Sequence, residues 1–202
     1  HGQGYALCLR CGRADSIVVQ GEVPKSFKDH KRLRGGKLND RERACPGNDE
    51  PWAVRMGLIL GVTTRTDLLE LQLRDPATGR PLDRTAAYTL GVALRRALCQ
   101  KLGIEEGEVG IAALPTRDRD GTPAYSVYLF DTASGGAGYS SQAPMLLPEL
   151  LRDARAVLEC PRRCDNACQA CVLTVDSQHQ LDHLNWHAAL DLLSENFLDA
   201  LS

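Results

Sequence analysis

Two runs of alternating apolar and polar residues open the regular part of the chain. Met56, Leu58, Leu60 and Val62 recur at every second position, and so do Leu69, Leu71 and Leu73. A period of two predicts a half-buried strand at each place. Asp75-Pro76-Ala77-Thr78-Gly79 predicts a turn, from its Pro and Gly. The period then changes. Leu90, Leu94, Ala97 and Leu98 form the apolar stripe of a helix over about 84–102, which Gly103 ends. Val109, Ile111 and Ala113 predict a third strand. Tyr125, Val127 and Leu129 predict a fourth, which ends at Asp131. A charged hairpin from Thr116 to Thr122 joins them, with Asp120-Gly121 at its tip. A glycine loop comes next, Ser134-Gly135-Gly136-Ala137-Gly138-Tyr139. Leu147, Leu150, Leu151 and Ala154 predict a helix over about 145–158. Trp186, Ala189, Leu193, Phe197 and Leu201 predict a last helix over about 185–201.

These elements describe an α+β fold, a mainly antiparallel sheet packed with helices. Residues 1–50 read instead as irregular and polar. The expected division is an N-terminal segment, 1–50, and an α+β domain, 51–202. With 202 residues and 43% of them hydrophobic, a core of ordinary size can form without help from metal. The net charge of −2 gives no overall drive toward nucleic acid or membrane. No apolar run approaches the roughly 20 residues of a membrane span, and no secretory signal opens the chain. There is no initiator Met, and a CxxC begins at residue 8. That is expected of a domain within a longer polypeptide.

Cysteines change the picture. The chain has eight, at 8, 11, 45, 99, 160, 164, 168 and 171. Disulfide-dense domains are usually small and secreted, so tight CxxC and CxxxC spacings here favour metal thiolates. Cys160, Cys164, Cys168 and Cys171 lie within twelve residues and can close a tetrahedron about one zinc ion. Four protein ligands leave no position for water, so such a site is structural. Arg162 and Arg163 are placed to offset its negative charge. An iron–sulfur cluster uses the same ligand type and stays open as an alternative, as do free or disulfide-bonded cysteines. Cys8-Leu9-Arg10-Cys11-Gly12 is a zinc knuckle, and Cys45 supplies a third thiolate. His30, in the same polar segment, is the expected fourth ligand, against a reading as a surface residue. Two zinc ions are therefore expected. Cys99 falls on the apolar side of a helix and reads as core.

Other features carry weaker signals. The run from Lys25 to Arg43 includes Lys31, Arg32, Arg34, Lys37 and Arg41, which could track phosphates electrostatically or form a solvated loop. Few aromatics interleave with these charges. Gly135, Gly136 and Gly138 let the backbone turn sharply and approach a neighbouring element or a phosphate. The loop is neither a Walker A motif nor the dinucleotide fingerprint. His179, His183 and His187 would share one face of a continuous helix, with Asn185 a cap between them. Asp67 and Asp131, near strand ends, are the carboxylates that an enzyme would use.

Several of these strings occur in an informative order: Thr66-Asp67-Leu68-Leu69-Glu70-Leu71, Tyr128-Leu129-Phe130-Asp131, Gly135-Gly136-Ala137-Gly138-Tyr139, then Cys168-Gln169-Ala170-Cys171-Val172-Leu173 and Leu181-Asp182. In this order they resemble the zinc-binding domain of superfamily-two helicases of the MrfA type. With Cys8-Leu9-Arg10-Cys11-Gly12 and Cys45-Pro46-Gly47 in front, the chain resembles the DrmB component of the DISARM antiphage system. The family's usual Arg after Leu-Asp is replaced by His183, which puts any contact of that Arg in doubt. The resemblance implies a cytoplasmic bacterial protein that works with a DNA translocase and holds zinc on the clustered cysteines.

The expected function is thus a zinc-stabilised accessory domain of a helicase or translocase complex. It would position DNA or a partner protein in antiphage defence or DNA repair. It would have no ATP-hydrolysing motor of its own, no membrane contact and no small-molecule substrate. A pure protein–protein docking module is the alternative. A nuclease-like enzyme using Asp67, Asp131 and the glycine loop is the second.

Overall fold

The computed structural model describes residues 4–33 and 43–201. The chain forms two compact units, His1–Thr63 and Thr64–Ser202. The first holds a small antiparallel sheet of β1 (Tyr5–Cys8), β2 (Ala14–Ser16) and β3 (Val54–Leu58), in the order β2-β1-β3. Apolar patterning alone groups residues 54–58 with the later strands. Pairing places them here, because β3 runs antiparallel to β1 from Val54↔Cys8 to Leu58↔Tyr5. The alternation through Leu60 and Val62 does not extend the strand. The partner begins at Tyr5, and Ile59, Leu60 and Val62 are left exposed. Strands of three and four residues are too short to show a period, so β1 and β2 leave no trace in the sequence pattern. The core beneath this sheet is Ala6, Ile17 and Phe27 together with Cys8, Cys11 and Cys45.

The second unit is a three-stranded antiparallel sheet covered by helices. Its strands are β4 (Leu68–Leu71), β5 (Val109–Arg117) and β6 (Pro123–Asp131), in the order β4-β6-β5. Helix α1 (Arg84–Leu102) starts where Asp83 accepts the amide of Ala86 at 2.8 Å. It ends at Gly103, whose φ of 68° is left-handed. It is buried on nearly every side, against β5, β6, α2 (Tyr139–Leu158) and α3 (Trp186–Leu190). That explains why Leu90, Val92, Ala93, Leu94, Ala97 and Leu98 are all buried, rather than a single stripe.

Two helices differ from expectation. α2 begins at Tyr139, ahead of Pro144 and Pro148, both of which lie inside it. A Pro in the second turn argues against a helix, but the carboxylate of Asp131, at the end of β6, anchors the N-terminus by accepting the amides of Tyr139 and Ser140. The expected helix over 185–201 is broken. α3 starts after Asn185, whose side chain accepts the amides of His187 and Ala188. Ser194 is extended and caps a separate α4 (Glu195–Asp199). The fold is α+β, with antiparallel sheets, packed helices and two cysteine clusters compatible with zinc. Among the described residues, no helix is long and apolar enough to cross a membrane.

Candidate metal centres

In the first unit the turn after β1 brings Cys8 and Cys11 together. The amide of Gly12 donates to the Cys8 carbonyl at 2.8 Å, and the Cys8 amide to the Arg13 carbonyl at 2.8 Å. Cys45 follows Ala44, which forms an antiparallel bridge with Lys31. Its amide donates to the carbonyl of His30 at 2.9 Å. Asn48 clamps the same His30 from both sides, accepting its amide and donating to its carbonyl. One ligand atom from each of Cys8, Cys11, His30 and Cys45 lies within 4.8 Å of the others, and all four residues are buried.

The chemistry of this donor set fits zinc. The His30 Nδ1 is 2.9 Å from the carbonyl of Phe27, so it carries the proton. Its Nε2 is buried and has no hydrogen-bond partner among the described residues. A buried lone pair beside three thiols is costly unless it binds something, and a metal ion satisfies it. Burial pushes the Cys45 thiol up to about 11, and the neighbouring thiols add to the rise. Burial also opposes ionisation of Cys11, but amides of Leu33 and Arg13 and the two other thiols outweigh it and bring Cys11 to about 7.

In the second unit Cys160, Cys164, Cys168 and Cys171 also gather within 4.8 Å. Their sulfurs stand 3.5–3.8 Å apart in the contacting pairs, too far for disulfides. Amides of Cys164 and Arg162 donate to Cys160 and bring its thiol down to about 6, while burial and its neighbours push Cys164 up. The loop is tied to two helices. Trp186 of α3 donates its indole N–H to the Cys164 carbonyl at 2.8 Å. Arg96 of α1 donates to the Cys171 carbonyl. Both centres have four protein donors, the closed set of a structural metal site. They are consistent with two zinc ions.

Residues 90–172 match the family model described as MrfA Zn-binding domain. That span takes in most of α1, the β5–β6 hairpin, α2 and all four C-terminal cysteines. It leaves out Cys8, Cys11, His30 and Cys45. The chain is also 30% identical, over 207 residues, to the Druantia protein DruE of Escherichia coli (strain UMEA 4076-1); the alignment covers 94% of this chain and 10% of DruE. The chain therefore spans about a tenth of that relative's length. A solved structure, the DUF1998 helicase MrfA bound to DNA, aligns with 60% of this chain and 15% of its own at 17% identity, with a TM-score of 0.39.

Within the span that matches the MrfA Zn-binding domain, the glycine loop has its own ligands. Asp131, 1% exposed at the end of β6, accepts the amides of Ala137, Tyr139 and Ser140 at 2.7–3.1 Å. Asp67, from the segment before β4, accepts the amide of Gly138 at 3.0 Å. The amides that a phosphate would use already face carboxylates. Asp67 and Asp131 therefore hold α2 and its loop in place, and the Ser140 hydroxyl beside Asp131 donates to that carboxylate at 2.7 Å.

The remaining sequence candidates separate. Lys31 is exposed, and Arg32 is half-buried with its amide on the Arg43 carbonyl. Arg34, Lys37 and Arg41 lie outside the described residues. His179, His183 and His187 share no helix face, since the chain is non-helical at Gln180 and extended at Leu184 and Asn185. Cys99 is buried, and burial pushes its thiol up to about 11. Sequence reasoning misses Gly47. A Cβ there would meet the Cys8 sulfur at 2.9 Å and the Ala53 Cβ at 3.3 Å. Its place in Cys45-Pro46-Gly47 is the available signal. Asn48, Arg96 and Trp186 escape notice as supports because they act through backbone groups.

Proposed function

We propose that this chain is a zinc-stabilised accessory domain of a DNA helicase or translocase, which positions DNA or a partner protein. The observation that carries the reading is the match of residues 90–172 to the MrfA Zn-binding domain, with its four thiols gathered at 160–171. One zinc is assigned to Cys160, Cys164, Cys168 and Cys171. The other is assigned to Cys8, Cys11, His30 and Cys45. Charge supports a division of labour. Residues 1–63 hold eleven Lys and Arg against seven Asp and Glu, and residues 64–202 hold thirteen against nineteen. The basic unit would meet phosphates through Lys31, Arg32, Arg34, Lys37 and Arg41, and the zinc sites would hold its scaffold. The finer setting is a cytoplasmic, DISARM-type antiphage complex, for which the order of Cys8–Gly12, Cys45–Gly47 and the Thr66-Asp67 strand speaks. DNA repair is the rival setting.

The second reading is a protein-docking module without DNA contact, favoured by the acidic balance of residues 64–202. Titrating the full chain into labelled DNA across salt concentrations separates the two. Binding should weaken steeply with salt. Neutralising Arg32, Arg34 and Lys37 together should reduce the slope by about 2–3, at roughly 0.7–0.9 per phosphate contact. No binding at low salt would reject the DNA reading.

A further inference from the structure

We infer that the first unit carries a stacking platform for an unpaired base, built on Trp52 and Arg10 beside the N-terminal zinc knuckle. The inference rests on the proposal that the chain contacts DNA, and it names the form of DNA. Trp52 is 57% exposed, an unusual position for so large an apolar surface. It is also held in place. The turn Pro51–Ala53 carries it, Pro51 restricts the turn on one side, and the Ala53 carbonyl accepts the Leu9 amide of the knuckle at 2.8 Å on the other. Arg10, inside the Cys8–Cys11 turn, lies over the indole with its guanidinium carbon 4.8 Å from the ring centroid. Two bonds from Arg10 to the Glu50 carboxylate, at 2.7 and 2.9 Å, fix the guanidinium plane. Zinc at the knuckle would therefore set the position of both planar groups.

The surroundings suit a nucleotide. The preceding residues Glu50 and Pro51 line a groove of about 440 Å³, within the range of small-ligand clefts, which Trp52 itself does not line. Val23, Pro24, Pro51 and Val54 supply apolar walls, and Lys25 and Lys28 stand on its border. Asp49 lines it as well; as an acceptor it suits an exocyclic amine of a base and disfavours a phosphate. An aromatic face for the base with lysines for the backbone is the arrangement that single strands use. A duplex hides its base faces in its own stack and cannot use the indole. Lys25 and Lys28 would then track the strand, while Trp52 takes one base.

The two tryptophans make the test direct. Trp186 is only 9% exposed, so quenching by a stacked base reports on Trp52. The full zinc-loaded chain is titrated with an oligo-dT strand of about twenty nucleotides and with a duplex of the same length. The single strand should quench emission and the duplex should not. Trp52→Ala should weaken single-strand binding roughly five- to 150-fold, the range of one base–aromatic stack. Trp52→Phe should keep most of the affinity, with zinc content unchanged in both variants. DNA binding that is indifferent to Trp52→Ala, and equal for strand and duplex, overturns the platform and leaves the accessory-domain reading standing. Absence of any DNA binding by the unmutated chain overturns the platform together with the DNA reading on which it rests.

Discussion

Asp131 and Ser140 are joined twice: one carboxylate oxygen accepts both the Ser140 amide, at 2.9 Å, and its hydroxyl, at 2.7 Å. The other oxygen takes the amides of Ala137 and Tyr139. A buried anion thus sits at the positive end of α2, where the first amides of a helix have no partner of their own. Removing it should be expensive. Asp131→Ala is expected to lower stability by roughly 3 kcal/mol, because several buried amides lose their acceptor. Ser140→Ala, which removes only the hydroxyl, should cost about 1 kcal/mol. Urea unfolding curves with unchanged slope would measure both. Equal, small losses would show that the cap contributes little.

The same group sets an acid limit. Burial raises the Asp131 pKa, but the bonds from Ser140, Ala137 and Tyr139 together outweigh it and hold the carboxyl below its ordinary value of 3.8. Its contribution to stability is therefore present above about pH 4 and is lost as pH falls through the lower, folded-state value. In Asp131→Asn, that part of the acid-induced loss should vanish. Stability measured from about pH 5 down to about pH 2 in both proteins tests this, and parallel curves would count against it.

Gly136 shows the same loop from the other side. Its φ is 81°, and a Cβ would stand 2.3 Å from the Asp67 carboxylate and 3.0 Å from the Asp67 amide. Gly135 has a φ of 92° and open space around it. Gly135→Ala should cost about 1 kcal/mol for its left-handed backbone. Gly136→Ala should cost more, by roughly 1–3 kcal/mol, for the clash. Combining it with Asp67→Ala should recover part of that excess in a double-mutant cycle. Equal costs at the two glycines would mean that Asp67 moves aside freely.

How much of this the sequence reveals depends on how local each cause is. The end of α1 is legible because Gly103 acts within its own turn, and Asp83 caps its start in the same local way. The four C-terminal cysteines are legible because they are nearly contiguous. The start of α2 is not, since its cap is Asp131, on a preceding strand, and Pro144 points the other way. The last helix reads as continuous because its apolar spacing persists through Ser194, which breaks the run by capping α4. Within the first sheet β1 and β2 stay hidden because they are short and are held as much by Cys8, Cys11 and Cys45 as by apolar pattern, while β3 shows only as the start of the Met56–Val62 alternation. Asp67 and Asp131 stand out as chemical groups, yet their partners are backbone amides, which a sequence does not display.

The N-terminal centre depends on a close approach. Gly47→Ala places a Cβ 2.9 Å from the Cys8 sulfur and should expel zinc from that centre alone. His30→Ala should do the same by removing the nitrogen donor. Elemental analysis should fall from two zinc ions per chain to one in both variants, with the C-terminal ion retained. Two ions in His30→Ala would show that His30 is dispensable as a ligand, and water or another group would then complete the set.

Trp186 offers a reporter for the C-terminal centre. Its indole N–H reaches the Cys164 carbonyl at 2.8 Å, and its own amide reaches the Asn166 carbonyl at 2.9 Å, so α3 is seated directly on the thiolate loop. Loss of metal should free that loop, because the free energy of metal binding is part of the free energy that folds it. In a Trp52→Phe background, where Trp186 is the remaining tryptophan, chelation should shift emission to the red and lower the melting temperature together. Restoring zinc should reverse both changes. Cys171→Ser should show the shifted emission before any chelator is added, since one ligand is missing from the start. Unchanged emission and melting after complete removal of zinc would mean that packing against α1 and α2 holds α3 without the metal.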